Sequence, residues 1–383
     1  MRILLPNSDG HLSNYEVTGT PIAKASLAHD SARRVYSAAH VVCDPFAEAG
    51  SSGTGAIDWN KTMGFRAHLV DLGLGIAEAM DTAQRGMGLN WFGALELIRQ
   101  TKATFPNALV ANGCGTDHLD PAEATSLDDV RRAYLEQVEA IQDVGGRIIL
   151  MASRALAKVA KTPDDYIKIY NDVLAACDQP VILHWLGEMF DPALAGYWGA
   201  DSFEGTLPTV ISVIRDNETK IDGIKISLLD AQKEIVMRRQ LPGSVRMYTG
   251  DDFNYPELIA GDEQGFSHAL LGIFDPIAAH AATAISKLNS GDKDGFHAVL
   301  DPTVPLARHI FQAPTQHYKT GVVFLAWLNG HQDHFTMLAG AQALRSLPHF
   351  VECFKLADAC GALSRPELAV ERMELLLKLY GVR

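Results

Sequence analysis

The sequence predicts an α/β protein: an eight-stranded parallel (β/α)8 barrel of the TIM type, with an N-terminal hairpin extension and a C-terminal helical region. Three observations carry this. Short apolar runs rich in β-branched residues recur at 35–43, 74–78, 108–112, 147–152, 180–184, 221–227, 245–249 and 266–273. Polar loops and amphipathic stretches separate them, and that alternation calls for parallel pairing with helical crossovers. The span 35–285 also has the size of such a barrel, about 250 residues.

The elements follow in order. Asn7-Ser8-Asp9-Gly10 is a turn between two strand-like runs, so residues 1–34 read as a hairpin extension. A helix over 58–72 starts at an Asp cap, and one over 126–144 starts at Ser126 with Asp128 and Asp129 in its first turn. Negative charge there suits the helix dipole. Thr162-Pro163 combines a cap with proline at the first helical position. Residues 286–383 carry no strand pattern. Stretches at 304–311, 319–329, 334–347 and 351–360 have helical spacing, and Ser364-Arg365-Pro366-Glu367 opens a last helix. This region is expected to pack on the barrel without forming an independent domain.

Composition narrows the function. A formal charge of −13 argues against nucleic acid and anionic membrane as partners, since both require a basic footprint. A hydrophobic fraction of 47% supplies a sizeable core, and no stretch approaches membrane-spanning length. Residues 1–6 lack the apolar core of a signal peptide, and the 5 cysteines are scattered without a CxxC pair. A cytoplasmic protein with free thiols is expected. Gly73-Leu74-Gly75 and Gly113-Cys114-Gly115 do not extend to GxGxxG, so no dinucleotide cofactor is expected, nor any other.

The residue of greatest interest is Lys225, inside the apolar run Ile221-Asp222-Gly223-Ile224-Lys225-Ile226-Ser227. A lysine in such a run is either paired with a carboxylate or held partly neutral by desolvation, and a neutral amine can attack a carbonyl. Active residues of a βα barrel sit at the C-terminal strand ends. Those ends offer Asp44, Glu78, Asp81, Thr82, Gln84, Asn112, Ser153, His184, Glu188 and Asp251. Asp252 neighbours them, and either aspartate of the pair could shape the field around Lys225 or cap the next loop. Arg85 and Arg154 are either anion contacts or ordinary surface arginines.

Asp222-Gly223-Ile224-Lys225 resembles the sixth-strand signature of the dihydrodipicolinate synthase and N-acetylneuraminate lyase superfamily. Met247-Tyr248-Thr249-Gly250-Asp251-Asp252 resembles its seventh strand, Val110-Ala111-Asn112-Gly113-Cys114-Gly115 its third, and Pro180-Val181-Ile182-Leu183 its fifth. The resemblance covers most of residues 35–330 and implies a divergent branch. It implies that Lys225 forms a Schiff base with a keto acid or keto-sugar, in a lyase, aldolase or dehydratase. It also implies a homo-oligomer, a dimer or tetramer.

Two departures stand out. Where the superfamily carries a Gly-Thr-Thr-Gly-Glu type loop for the substrate carboxylate, this chain has Met80-Asp81-Thr82-Ala83-Gln84. Where its fourth strand ends in tyrosine, Leu150-Met151-Ala152-Ser153 has none. His184 and Glu188 are the expected acid/base replacements. Asp44, Glu78, Asp81, Thr82, Gln84, Asn112, Ser153 and Asp251 are the expected substrate contacts, suited to a sugar-like carbonyl compound. No metal is called for in this reading. The alternative is a sugar isomerase or epimerase with a divalent ion on Glu78, Asp117, His184, Glu188 and Asp251. A non-catalytic sugar-binding barrel is the third reading.

Overall fold

The computed structural model describes residues 1–23, 25–28, 31–48 and 54–382. Residues 24 and 29–30 of the expected extension lie outside it. The hairpin is present: β1 (Arg2–Pro6) pairs antiparallel with β2 (Leu12–Glu16).

Eight strands then close a parallel barrel. They are β3 (Val35–Ala38), β4 (Gly75–Glu78), β5 (Val110–Cys114) and β6 (Arg147–Leu150), followed by β7 (Val181–Leu186), β8 (Ile221–Ser227), β9 (Arg246–Thr249) and β10 (His268–Leu271). Each pairs with its sequence neighbours, and β10 closes on β3. All eight coincide with the apolar runs of the sequence.

The crossover helices begin where their caps predict. Asp58 accepts from the Lys61 amide, Ser126 and Asp129 form a reciprocal capping box, and Thr162 and Asp165 form another before Pro163. Each cap satisfies amide donors that the first helical turn leaves unpaired.

Helices from Ala278 to Leu379 follow the barrel. They share one apolar cluster with the hairpin and the barrel wall: Ile3, Leu5, Phe65, Phe274, Phe324, Phe354 and Leu376 all belong to it. The stretch expected as a helix over 334–347 is instead a kinked 3-10 segment, Leu338–Leu344, with Ala339 and Gly340 at positive φ. Two successive left-handed residues cannot continue an α-helix.

The sheet's alternation decides what reaches the lumen. Tyr36, Ala38, Ala77, Ala111, Ile149, Ile182, Tyr248 and Leu270 pack against one another inside the barrel. Glu78 and Asn112 are register partners on adjacent strands, one residue out of phase with the inward pair Ala77 and Ala111. They face the helices.

Candidate active site

Lys225 lies in the register row His184–Lys225–Tyr248 across β7, β8 and β9, and Tyr248 belongs to the lumen cluster. Its side chain is 8% exposed. Among the described residues its ammonium makes no hydrogen bond and no ion pair. Burial lowers its pKa below the ordinary lysine value, while the charges of Asp252 and Asp81 pull partly the other way. Gly250 makes the room: a β-carbon there would stand 2.7 Å from Lys225 Cε.

His184 is 1% exposed and borders the mouth cleft. Its Nε2 lies 3.4 Å from Ser227 Oγ, and its Nδ1 has no partner. Burial, and then the charge of Lys225, hold its pKa well below the ordinary histidine value. Burial thus disfavours the protonated imidazole, where the sequence reading expected titration near neutrality.

Asp252 is the carboxylate whose charge acts most on Lys225. It follows β9, is 4% exposed, and accepts the Ile273 amide at 2.8 Å. Burial pushes its pKa up to about 7, against the opposing pull of the Ile273 amide and Lys225. The adjacent Asp251, the one expected as a substrate contact, closes a turn by accepting from Phe253, Asn254 and the Asn254 side chain.

Other expected contacts have structural partners. Glu78 is wholly buried, bonded to Arg66 at 2.7 and 2.9 Å and to Thr101 at 2.7 Å. Asn112 donates to the Arg147 carbonyl on the outward face. Gln84 ties its loop to Leu338 through both ends of its amide. Ser153 caps the helix that starts at Arg154. Asp44 holds the Phe46 amide in a turn of the loop after β3. Glu188 is exposed and faces a separate depression with Trp185, Tyr197 and Lys233.

Asp81 and Thr82 remain at the mouth. Asp81 lines a solvent-open cleft of ≈ 760 Å³ together with Thr116, Met151, Arg154, His184 and Asp191. Thr82 Oγ1 lies 2.9 Å from the hydroxyl of Tyr318. Arg85 also borders the cleft, but its guanidinium is consumed by the Ala79 and Gly113 carbonyls, Asp117 and Gln137. Arg154 contacts Asp191 through Nε at 2.6 Å.

Tyr318 and Lys319 were not anticipated. They open the helix Tyr318–Leu328, in which every residue is buried. The Tyr318 ring stacks on Phe311 at 4.4 Å and lies against Gly272, just past β10, while its hydroxyl meets the loop after β4. This helix therefore roofs part of the barrel mouth. In sequence it is an apolar stripe like any other; the only mark is a lysine at its start, with no acidic residue nearby.

The proposed metal ligands do not meet. Glu78 is bound to Arg66, Asp117 to Arg85, Asp251 to its own turn, and Glu188 faces elsewhere. Among the described residues, the one trio of His, Cys and acidic side chains with ligand atoms within 4.8 Å is His309, His349 and Cys353, in the C-terminal helices.

Fold and mouth together define a (β/α)8 barrel with a buried lysine on its sixth strand that has no partner among the described residues. The chain belongs to the family described as "Protein of unknown function (DUF993)", whose profile matches residues 3–382. No curated protein matches the sequence. Solved structures do share the fold. Dihydrodipicolinate synthase from Thermotoga maritima is similar at 14% identity and TM-score 0.66, over 86% of this chain and 99% of that one. The Bacillus anthracis enzyme is similar at 16% identity and TM-score 0.62, over 85% and 97%. The Acinetobacter baumannii enzyme, solved with pyruvate, is similar at 15% identity and TM-score 0.63, over 86% and 99%. Among the described residues no helix is long and apolar enough to cross a membrane.

Proposed function

We propose that this protein is a Schiff-base-forming lyase or aldolase, or a dehydratase of the same chemistry, acting on a keto acid or keto-sugar. The observation that carries the reading is Lys225, a buried strand lysine whose ammonium has no partner among the described residues and whose pKa is lowered by burial. The neutral amine adds to the substrate carbonyl, and loss of water leaves a protonated imine on Nζ. Asp252, with a pKa of about 7, is the base that removes a proton from the substrate as a bond to the neighbouring carbon breaks. The electron pair passes into the imine as an enamine. Protonation of that enamine and hydrolysis release the product and restore the amine.

The shared fold supports this, and the Acinetobacter baumannii enzyme with that fold binds pyruvate. A sugar-like substrate is supported by Asp81 and Thr116 in the cleft, which offer hydroxyl partners. We also propose a cytoplasmic homo-oligomer.

Borohydride reduction with a panel of keto acids and keto-sugars tests the reading. A reduced adduct mapped to Lys225, absent from Lys225→Ala, is the expected result. Turnover by Lys225→Ala on any substrate that the native chain converts sinks it.

A further inference from the structure

A second lysine at the mouth has no role in imine formation. Lys319 is 5% exposed, yet no carboxylate pairs with it among the described residues. Its ammonium donates to the Gln316 carbonyl at 3.2 Å and to the Met87 thioether at 3.4 Å, a weak acceptor. The ammonium also lies 4.6 Å from the centre of the Tyr318 ring. A buried ammonium with no carboxylate partner is still expensive, and burial lowers its pKa to about 8.

The charges that act on Lys319 are those of Asp81, Arg154 and Asp191, all three of them cleft residues. Those acting on Lys225 are Asp252 and Asp81. Asp81 is thus the carboxylate common to both lysines. Asp252 belongs to the imine end, while Arg154 and Asp191 belong to the other. Of the charged residues that line the cleft, Arg85 and Arg154 stand against Asp81, Asp117 and Asp191, and Lys319, on which Asp81, Arg154 and Asp191 act, brings the sum to zero. Selection among ligands therefore rests on arrangement. Arg85 and Arg154 already hold Asp117 and Asp191, so that apart from Lys225 at the imine end, Lys319 is the mouth cation with no ion pair among the described residues.

We propose that Lys319 binds an anionic group of the substrate, a carboxylate or a phosphate, at the end of the molecule away from the carbonyl that meets Lys225. Asp81 then accepts a hydroxyl between them. The substrate class is a hydroxylated ketone bearing an acidic terminus. This rests on the imine reading of Lys225 for its orientation, but the anion site stands on the buried Lys319 ammonium that no carboxylate pairs with among the described residues.

Fructose, fructuronate and fructose 6-phosphate form a matched set that differs only at the terminus. Borohydride trapping on the native chain is expected to favour at least one anionic probe about tenfold or more over fructose, as a charge-assisted contact implies. Lys319→Met should reduce that preference to within about twofold, while Lys319→Arg should retain part of it. Thermal melts of both variants establish that they fold.

Calorimetric titration of the same probes into Lys225→Ala, and into Lys225→Ala with Lys319→Met, needs no imine. An anionic preference that disappears with Lys319 supports the site even if nothing is trapped, in which case the imine reading alone has failed. Equal binding of all three probes, or a preference that survives Lys319→Met, overturns the anion site.

Discussion

Gly250 and Lys225 occupy one shared volume: a β-carbon on the glycine would lie 2.7 Å from the lysine Cε and 2.7 Å from the Ile226 carbonyl, with Ser227 Oγ closer still. The residue after β9 is small because the side chain on β8 crosses in front of it. Gly250→Ala should destabilise the protein by about 1–3 kcal/mol, since neither backbone nor lysine can yield fully. It should also slow adduct formation on Lys225. Urea unfolding and borohydride trapping read the two effects, and a variant of native stability with native trapping would refute the crowding.

Removing Lys225 has an opposite signature. The side-chain nitrogen is buried without a partner among the described residues, so Lys225→Met replaces a desolvated polar group by an apolar chain of similar length. Stability is expected to hold or to rise by about 1 kcal/mol while trapping vanishes, the trade-off that active-site residues show. A large loss of stability would mean that the lysine is structural. Denaturant midpoints decide it.

Glu78 offers the contrast. It and Arg66 are both wholly buried and bonded to each other, so removing one partner strands the other charge. Glu78→Ala is expected to lose about 3–5 kcal/mol, with the midpoint of unfolding falling accordingly. In preparations that remain folded, KM should be near native, because the carboxylate faces the helices and not the mouth.

Glu234 gives a test in pH. Its Oε1 accepts from Ser267 at 2.6 Å, and burial raises its pKa to about 8 against the pull of that hydrogen bond. A raised carboxylate pKa means that the native state holds a proton the unfolded chain has released. This contribution to stability therefore declines as pH rises from about 4.5 to about 8, by up to about 1.4 kcal/mol per unit. Glu234→Gln should flatten that decline and be the more stable form at pH 9. Thermal melts at pH 6 and pH 9 measure the difference. Asp252, raised to about 7, adds a decline of the same sign at lower pH, which Asp252→Asn should remove.

The Tyr318 hydroxyl has one partner in the mouth, Thr82 at 2.9 Å. Tyr318→Phe keeps the stack on Phe311 and removes that bond. The stability change should be about 0.5–1.5 kcal/mol. A fall in kcat beyond tenfold, at unchanged KM, would show that the phenol also serves the reaction.

The barrel was legible because each strand is a compact apolar run and each early helix carries its own cap. Ser126 with Asp129 and Thr162 with Asp165 act within a few residues, so local sequence suffices. Lys225 was legible for the same reason. The rim was read less well, because a strand end names two faces and only pairing register says which one is inward. Glu78 and Asn112 missed the lumen by one residue for that reason. Choosing between Asp251 and Asp252 required knowing which carboxylate the turn consumes. Tyr318 and Lys319 come from beyond the last strand, and only closure of the helices over the mouth reveals them.

That closure has a consequence for how the molecule can be divided. The helix Tyr318–Leu328 is buried along its whole length, so the part of the mouth it covers is fixed masonry, not a hinged door. The cleft opens to solvent on the flank beside Thr116 and Arg154. A chain ending before residue 318 would include every strand and Lys225, yet it would lose the wall against which a ligand is measured.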